Sequence, residues 1–354
     1  MKFYSQIFQE TVSVESLFDA WSTFRKGKNQ RIDVQQFFRK LEPYLFHLNR
    51  ALVSKQYKHS GYQSFYIHDP KIRHIRKAGV RDRIVHQILT TKLNQIFEPR
   101  FINDLYSSRL GKGTHRGVDA LRGMTRKVSG NSTRPCWALK CDVKKFYDTV
   151  DHEVLLAILR RRIRDRDFMW LCAEIVNSFH NEGTLGKGLP IGNLTSQIFT
   201  NIYLNEFDQY VKHTLKRTHY VRYADDFVVL ASNRKELEEL IPKLRAFLAD
   251  KLKLELHPRK ITIRPLTQGV DFLGYVLLEQ HTVLRTKTKR RMLRKMQIRH
   301  NELFAGKISS EVLNQTLQSY LGTLQHANAH QLSEEIKNRF MWNEQVGDII
   351  DPTF

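Results

Sequence analysis

Apolar residues recur at helical spacing through the N-terminal region. Val14, Leu17, Phe18, Trp21 and Phe24 mark one amphipathic helix. Phe38, Leu41, Leu45, Leu48 and Leu52 mark another, with Asp33 and Gln36 set as its cap. The pattern turns extended from about Gln63 to Arg76 and breaks at Asp69-Pro70, which predicts a hairpin. Helical periodicity returns over 80–99, and a glycine-rich basic loop from Arg109 to Gly117 leads into a further helix. Trp137 to Val143 reads as a strand with a carboxylate near its end. A helix over 152–163, a loop from Gly183 to Pro190 and a helix over 194–216 follow. Tyr220 to Ala231 then reads as two short apolar strands flanking Ala224-Asp225-Asp226. Asn233 with Glu236 caps a helix whose stripe is Leu237, Leu240, Ile241, Leu244, Phe247 and Leu248. Strands around 260–263 and 272–278 come next, and the remainder from about 285 is helical. This series predicts an α+β fold.

Charge adds a partner class. The 354 residues carry 58 Lys and Arg against 36 Asp and Glu, a formal charge of +22, and 41% of them are hydrophobic. That apolar content supports packed cores and excludes a disordered chain. The surplus favours a polyanionic partner, nucleic acid or an anionic membrane surface. No apolar run approaches the roughly 20 residues of a membrane helix. Met1-Lys2-Phe3-Tyr4 soon meets Gln and Glu, unlike the apolar core of a signal peptide. Secretion and membrane spanning are not expected, and a cytoplasmic location is. Cys136, Cys141 and Cys172 contain no Cys-x-x-Cys pair, so buried thiols are expected, and the scattered histidines are assigned no metal. The basic residues cluster in the 109–117 loop, in Arg160–Arg166, and in Arg285–Arg299, which holds eight Lys or Arg and no acid.

The acids are the more specific signal. Adjacent Asp225 and Asp226 in a tight turn between apolar strands repel one another and raise each other's pKa. A divalent cation removes that cost, and hard oxygen ligands suit Mg²⁺. Asp142 lies at the end of its own strand. If that strand is beside the hairpin, three carboxylates converge, enough to hold two metals ~3.5–4 Å apart for in-line phosphoryl transfer.

These segments resemble reverse transcriptases. Tyr223-Ala224-Asp225-Asp226 resembles their Tyr-x-Asp-Asp box, and Asp142-Val143-Lys144-Lys145-Phe146-Tyr147-Asp148 resembles their first catalytic motif. A fingers segment, the Gly-Asn-Leu-Thr-Ser-Gln segment and a lysine near a later strand fall in the same order, over roughly residues 60 to 280. The resemblance implies a right-hand polymerase. It would have an N-terminal helical extension over 1–60, fingers over 61–135 and a helical thumb over 285–354. The palm would span 136–284, an antiparallel sheet with packed helices and fingers elements interleaved around 155–190.

The implied activity is RNA-directed DNA polymerisation from dNTPs on two Mg²⁺ ions, with Mn²⁺ as a substitute. Asp142, Asp225, Asp226 and the Val143 carbonyl would be the metal ligands. Lys260 would protonate the leaving pyrophosphate as a general acid. Tyr147 resembles the aromatic gate beneath the incoming sugar, whose ring would clash with a 2′-hydroxyl; Phe146 is a core residue. Lys71 and Arg73 would grip the triphosphate, Arg73 standing ten residues before Arg83 as in group II intron-like relatives, with Arg76 and Lys77 as rivals. The loop residues Arg109, Lys112, His115 and Arg116 would hold template. Lys287, Arg290, Arg291 and Arg294 would hold the RNA/cDNA duplex.

The segment Gly188-Leu189-Pro190-Ile191-Gly192-Asn193-Leu194-Thr195-Ser196-Gln197 narrows the resemblance. Most retroelement enzymes carry Gln-Gly and then Ser-Pro where this chain has Ile191-Gly192 and Ser196-Gln197. That version resembles the reverse transcriptases of diversity-generating retroelements, which copy a template-repeat RNA with errors at adenines. Ile191, Gly192 and Gln197 would then flank the templating base and the dNTP. No endonuclease or RNase H region follows the expected thumb, so the resemblance implies a basic, oligomeric accessory variability protein and a prokaryotic or phage source. The competing expectations are another prokaryotic reverse transcriptase, defence-associated or intron-derived, and a non-catalytic RNA-binding scaffold.

Overall fold

Local signals account for most elements of the computed structural model, which describes residues 2–69 and 71–340. A short turn α1 (Phe8–Thr11) precedes α2 (Val14–Arg25), and the Ser13 hydroxyl caps α2 by accepting from the Ser16 amide at 3.1 Å. The next apolar stripe does not form one helix from Asp33. It splits into α3 (Ile32–Phe38) and α4 (Leu41–Val53). Pro43 explains the break, because its ring and missing N–H exclude a helix continuous with residue 39, while the first turn of a new helix tolerates it. Asp33 is not the cap residue but lies in the first turn of α3, where its Oδ1 accepts from the Val34 amide at 3.0 Å. It pairs with Lys77 at 2.7 Å and Arg83 at 2.6 Å.

Strands β1 (Gln63–Ile67) and β2 (Arg73–Lys77) form the expected antiparallel hairpin, in register from Gln63↔Lys77 to Ile67↔Arg73; Pro70 of its turn lies outside the described residues. Helix α5 (Val80–Phe97) buries Ile84, Val85, Ile88, Leu89, Leu93 and Ile96, and α2 packs on it. Then come α6 (Thr114–Ser129), β3 (Trp137–Asp142), the turn α7 (Phe146–Thr149) and α8 (His152–Arg160). A helix that periodicity did not predict, α9 (Arg166–Asn177), follows the arginine cluster. Its signal was the cap Asp165, whose carboxylate accepts from the Asp167 and Phe168 amides and, across the chain, from Ile7 and Phe8.

Helix α10 (Leu194–Gln209) leads through one π-helical turn to the hairpin β4 (Tyr220–Tyr223) and β5 (Asp226–Ala231), then α11 (Arg234–Leu252). The C-terminal region is β6 (Thr262–Pro265), β7 (Val270–Phe272), β8 (Tyr275–Leu277), β9 (Thr282–Leu284), α12 (Thr286–Phe304), α13 (Ser310–Leu324) and α14 (His330–Phe340). The single strand expected over 272–278 is a hairpin. Leu273 and Gly274 take positive φ of 51° and 92° and turn the chain back.

The chain forms two compact units. One is Met1–Gly113, Lys140–Val229 and Glu238–Ile261; the other is Thr114–Leu139, Leu230–Leu237 and Thr262–Phe354. In the first, β4, β5 and the end of β3 are neighbours in that order, so the two strands that end or begin in carboxylates are adjacent. In the second, β6 lies beside β3, β7-β8-β9 form an antiparallel sheet, and α12–α14 close on Met292, Met296, Leu313, Leu317, Leu324 and Ile336. Residues 341–354 of the expected thumb lie outside the described residues. All three cysteines are buried, and no described helix is long and apolar enough to cross a membrane.

Candidate active site

Backbone pairing brings the three aspartates together. The Val143 amide, one residue past β3, donates to the Asp225 carbonyl at 3.1 Å. On the other side, the Asp142 carbonyl accepts from His257 at 2.8 Å, which fixes Pro258–Lys260 beside the strand end. Asp142, Asp225 and Asp226 are half-buried, and the charge of Asp142 bears on the other two. Burial, then the charge of Asp142, raises the Asp225 carboxyl above its ordinary value. Burial dominates at Asp226 too and pushes its carboxyl up to about 6, against the opposing pull of Lys140.

Two lysines hold the outer carboxylates. Lys260 Nζ is 2.7 Å from Asp142 Oδ1, and Lys140 Nζ is 3.2 Å from Asp226 Oδ2. With the side chains so turned, no three His, Cys, Asp or Glu residues among the described ones stand ready as metal ligands. The donor set nevertheless fits a hard divalent cation. It is all carboxylate oxygen, desolvated and mutually repelling, and Asp226 Oδ1 is buried with no hydrogen-bond partner.

The turn that carries Asp225 and Asp226 is tethered at both ends of one residue. Ala224 takes φ 53°, its amide donates to the Ser107 hydroxyl at 2.9 Å, and its carbonyl accepts from Arg222 at 2.9 Å. Arg222 is wholly buried in an ion pair with Asp208 of α10, and Tyr220 donates to the same carboxylate at 2.6 Å. Sequence reasoning missed Lys140, Ser107, Arg222 and Asp208. Arg222 and Lys140 carried a signal, each as a charge inside an otherwise apolar strand.

The remaining predicted residues divide by what they touch. Arg73 is exposed on β2, and its charge reaches both Asp225 and Tyr147. Its rivals are engaged elsewhere, Arg76 with Glu182 at 3.3 Å and Lys77 with Asp33. Lys71 is exposed before β2. Tyr147 is half-buried and hydrogen-bonded to Thr200, with its hydroxyl pKa raised mainly by burial, while Phe146 is core. Val143 is buried, Ile191 is half-buried, and Gly192 and Gln197 are exposed at the start of α10.

Arg109 is spent on its own loop. It pairs with Glu98 at 2.8 Å, donates to the Ile102 and Leu105 carbonyls, and its guanidinium lies over Phe101. Lys112 bonds Asn103. In the other unit His115 stacks on His326 with ring centroids 3.6 Å apart, and Arg116 is exposed. On α12, Lys287, Arg290 and Arg294 are exposed and Arg291 is half-buried.

A family model described as reverse transcriptase (RNA-dependent DNA polymerase) matches residues 66–277, more than half of the chain. The chain belongs to the reverse transcriptase family. It is 28% identical over 248 residues to protein YkfC of Escherichia coli, covering 60% of this chain and 65% of that one. It is 23% identical over 279 residues to the group II intron-encoded protein LtrA of Lactococcus lactis, covering 59% and 45% respectively. Among solved structures, telomerase from Candida albicans in complex with a fragment of telomeric RNA matches with TM-score 0.52 at 14% identity. That match covers 84% of this chain and 59% of the telomerase, and it establishes the shared α+β fold. The reverse transcriptase-family chain thus spans less than two thirds of the length of these relatives.

Proposed function

We propose that the chain is an RNA-directed DNA polymerase with a right-hand arrangement, extending a primer along RNA from dNTPs. The observation that carries this reading is the convergence of Asp142, Asp225 and Asp226 from two adjacent strands within a desolvated site. Asp142, Asp225, Asp226 and the Val143 carbonyl would hold two Mg²⁺ ions, with Mn²⁺ as a substitute. Such ions, when bound, activate the attacking hydroxyl and stabilise the leaving oxygen. The protein's own contribution follows from its geometry. Lys260 and Lys140 each pair with an outer carboxylate and would have to release it for those oxygens to hold an ion. Lys260, 44% exposed at its side chain, is then free to give a proton to the departing pyrophosphate. Arg73 and Lys71 bind the triphosphate. The Tyr147 ring, held by Thr200, is the floor on which a 2′-hydroxyl would clash.

Primer extension on an RNA template tests the reading. Asp225→Asn and Asp142→Asn are expected to lose at least ~1,000-fold in rate while retaining the fold, as removal of a principal electrostatic group does. Metal-dependent extension that survives both substitutions would sink it.

A narrower reading rests on Ile191-Gly192 and Ser196-Gln197. It makes the chain the polymerase of a diversity-generating retroelement, copying a template-repeat RNA with adenine-directed errors alongside an accessory variability protein. The relatives named for introns favour the broader alternative, an intron-like enzyme without adenine mutagenesis. Sequencing of cDNA made on an adenine-containing RNA separates the two. Errors concentrated opposite adenine and reduced by Ile191→Gln support the narrower reading, and a uniform error spectrum rejects it.

A further inference from the structure

Asn193 occupies a helix-cap position without acting as a cap. It directly precedes α10, where an Asn side chain ordinarily accepts from an amide two or three residues on. It makes no such bond. Its side chain is 3% exposed and reaches the far end of β2 instead. Nδ2 donates to the Arg76 carbonyl at 2.6 Å and to the Pro190 carbonyl at 3.4 Å, while Oδ1 accepts from the Ala78 amide at 3.2 Å. The Arg76 amide donates to the Ile191 carbonyl at 2.9 Å. Gly192 completes the joint. It takes φ +109°, and a Cβ there would lie 2.7 Å from Ile75 Cγ2.

The β1–β2 hairpin needs such a joint. Every residue of β1 is exposed, including Phe65, Tyr66 and Ile67, so the hairpin has little core of its own. A two-stranded hairpin is marginal in isolation, so its pose must be set from its base. Helix α10 is suited to that task because it also anchors the chemistry. Thr200 bonds Tyr147, Asn201 bonds the Ser107 that holds Ala224, and Asp208 holds Arg222. One helix, about 22 Å from Asn193 to Asp208, thereby references the hairpin and the catalytic turn to each other.

We propose that Asn193 is a positioning residue that sets the pose of the β1–β2 hairpin and, through it, the grip of Arg73 on an incoming nucleoside triphosphate. This rests on the polymerase reading above, and the test separates the two. The full-length chain is assayed for extension of oligo(dT) on poly(rA), reading KM for dTTP apart from kcat. Hydrogen exchange of the 63–77 amides is measured without nucleotide. Asn193→Asp keeps the side chain's shape but points a carboxylate oxygen at two carbonyls. It is expected to raise KM about tenfold with kcat within about twofold, as loss of buried hydrogen bonds implies. Exchange in the hairpin should quicken while β3 is unchanged.

Gly192→Ala, which pushes the joint from the other side, should act alike. Ile75→Ala should recover part of that loss by removing the struck methyl group. An active enzyme with unchanged KM overturns the proposal, as does a parallel fall of kcat, dTTP affinity and β3 protection. If the wild type extends nothing, the polymerase reading fails. Hairpin exchange then decides the clamp by itself: quickened exchange upholds it and unchanged exchange removes it.

Discussion

Asp226 illustrates how much of the site's chemistry is an electrostatic load on the fold. Its carboxyl, ordinarily at 3.8, is pushed up to about 6, chiefly by burial. The folded chain therefore holds that proton more tightly than the unfolded chain does. The associated stabilisation is full below about pH 4 and is lost as pH rises through about 6. Asp226→Asn removes this titration. In metal-free buffer at pH 8 the variant is expected to be more stable than wild type by on the order of 2 kcal/mol, the gap closing toward pH 4. Thermal unfolding in chelator across that range checks it, and a variant less stable at pH 8 would contradict it. Arg222 is the opposite case. Its charge is wholly buried against Asp208, so Arg222→Met strands a carboxylate and should cost about 3–5 kcal/mol. Removing both with Arg222→Met and Asp208→Leu should cost less than the single change. Urea unfolding of wild type and these two variants reads the difference.

At the scale of elements, the capping and turn chemistry did more than hydrophobic period alone reveals. Asp165 starts α9 and also accepts from Ile7 and Phe8, tying the N-terminus to that helix. Burial would raise its carboxyl, but the amides of Phe168, Phe8, Ile7 and Asp167 outweigh burial and hold it below 3.8. Its contribution is present above the unfolded value and is lost as pH falls through the lowered folded one. Between pH 5 and pH 3, wild type should therefore lose more of its urea midpoint than Asp165→Asn does; equal losses would remove the cap from the acid response. Helix α12 makes a different prediction. Lys287, Arg290 and Arg294 recur at helical spacing on exposed positions. If they contact phosphates, each Gln substitution should lower the salt slope of RNA/DNA duplex binding by about 1. Arg109→Gln should instead destabilise its loop, since that guanidinium is already committed to Glu98 and two carbonyls.

For the whole molecule, the surplus of +22 describes binding more than folding. If the chain binds template–primer as proposed, that association should be dominated by phosphate contact, so its affinity should fall steeply with salt and vary little with duplex sequence. Fluorescence anisotropy over a salt series on two unrelated duplexes of equal length would show both effects. Sequence-dependent affinity would contradict this account. The Arg160–Arg166 cluster is distributed on a rigid frame, with Tyr4 bonded to both Arg162 and Arg164. Arg164 also lies over Phe3 at 4.7 Å. The structure gives those arginines no place in the aspartate site.

The sequence by itself determined most of the helices, the hairpins over 63–77 and 220–231, the α+β class and the three aspartates, because side-chain period and turn chemistry are local properties. It could not resolve the split at Pro43 from the apolar stripe alone, nor the tight turn at Leu273-Gly274 within one apparent strand. Only the tertiary structure decided which cation meets which acid. Lys260 faces Asp142, Lys140 faces Asp226, and Arg76 and Lys77 are drawn to Glu182 and Asp33, leaving Arg73 toward the site. It also joined Asn193, at the start of α10, to the end of β2. Such pairings join residues as much as 118 positions apart. They depend on how sheets and helices pack, which no local pattern encodes.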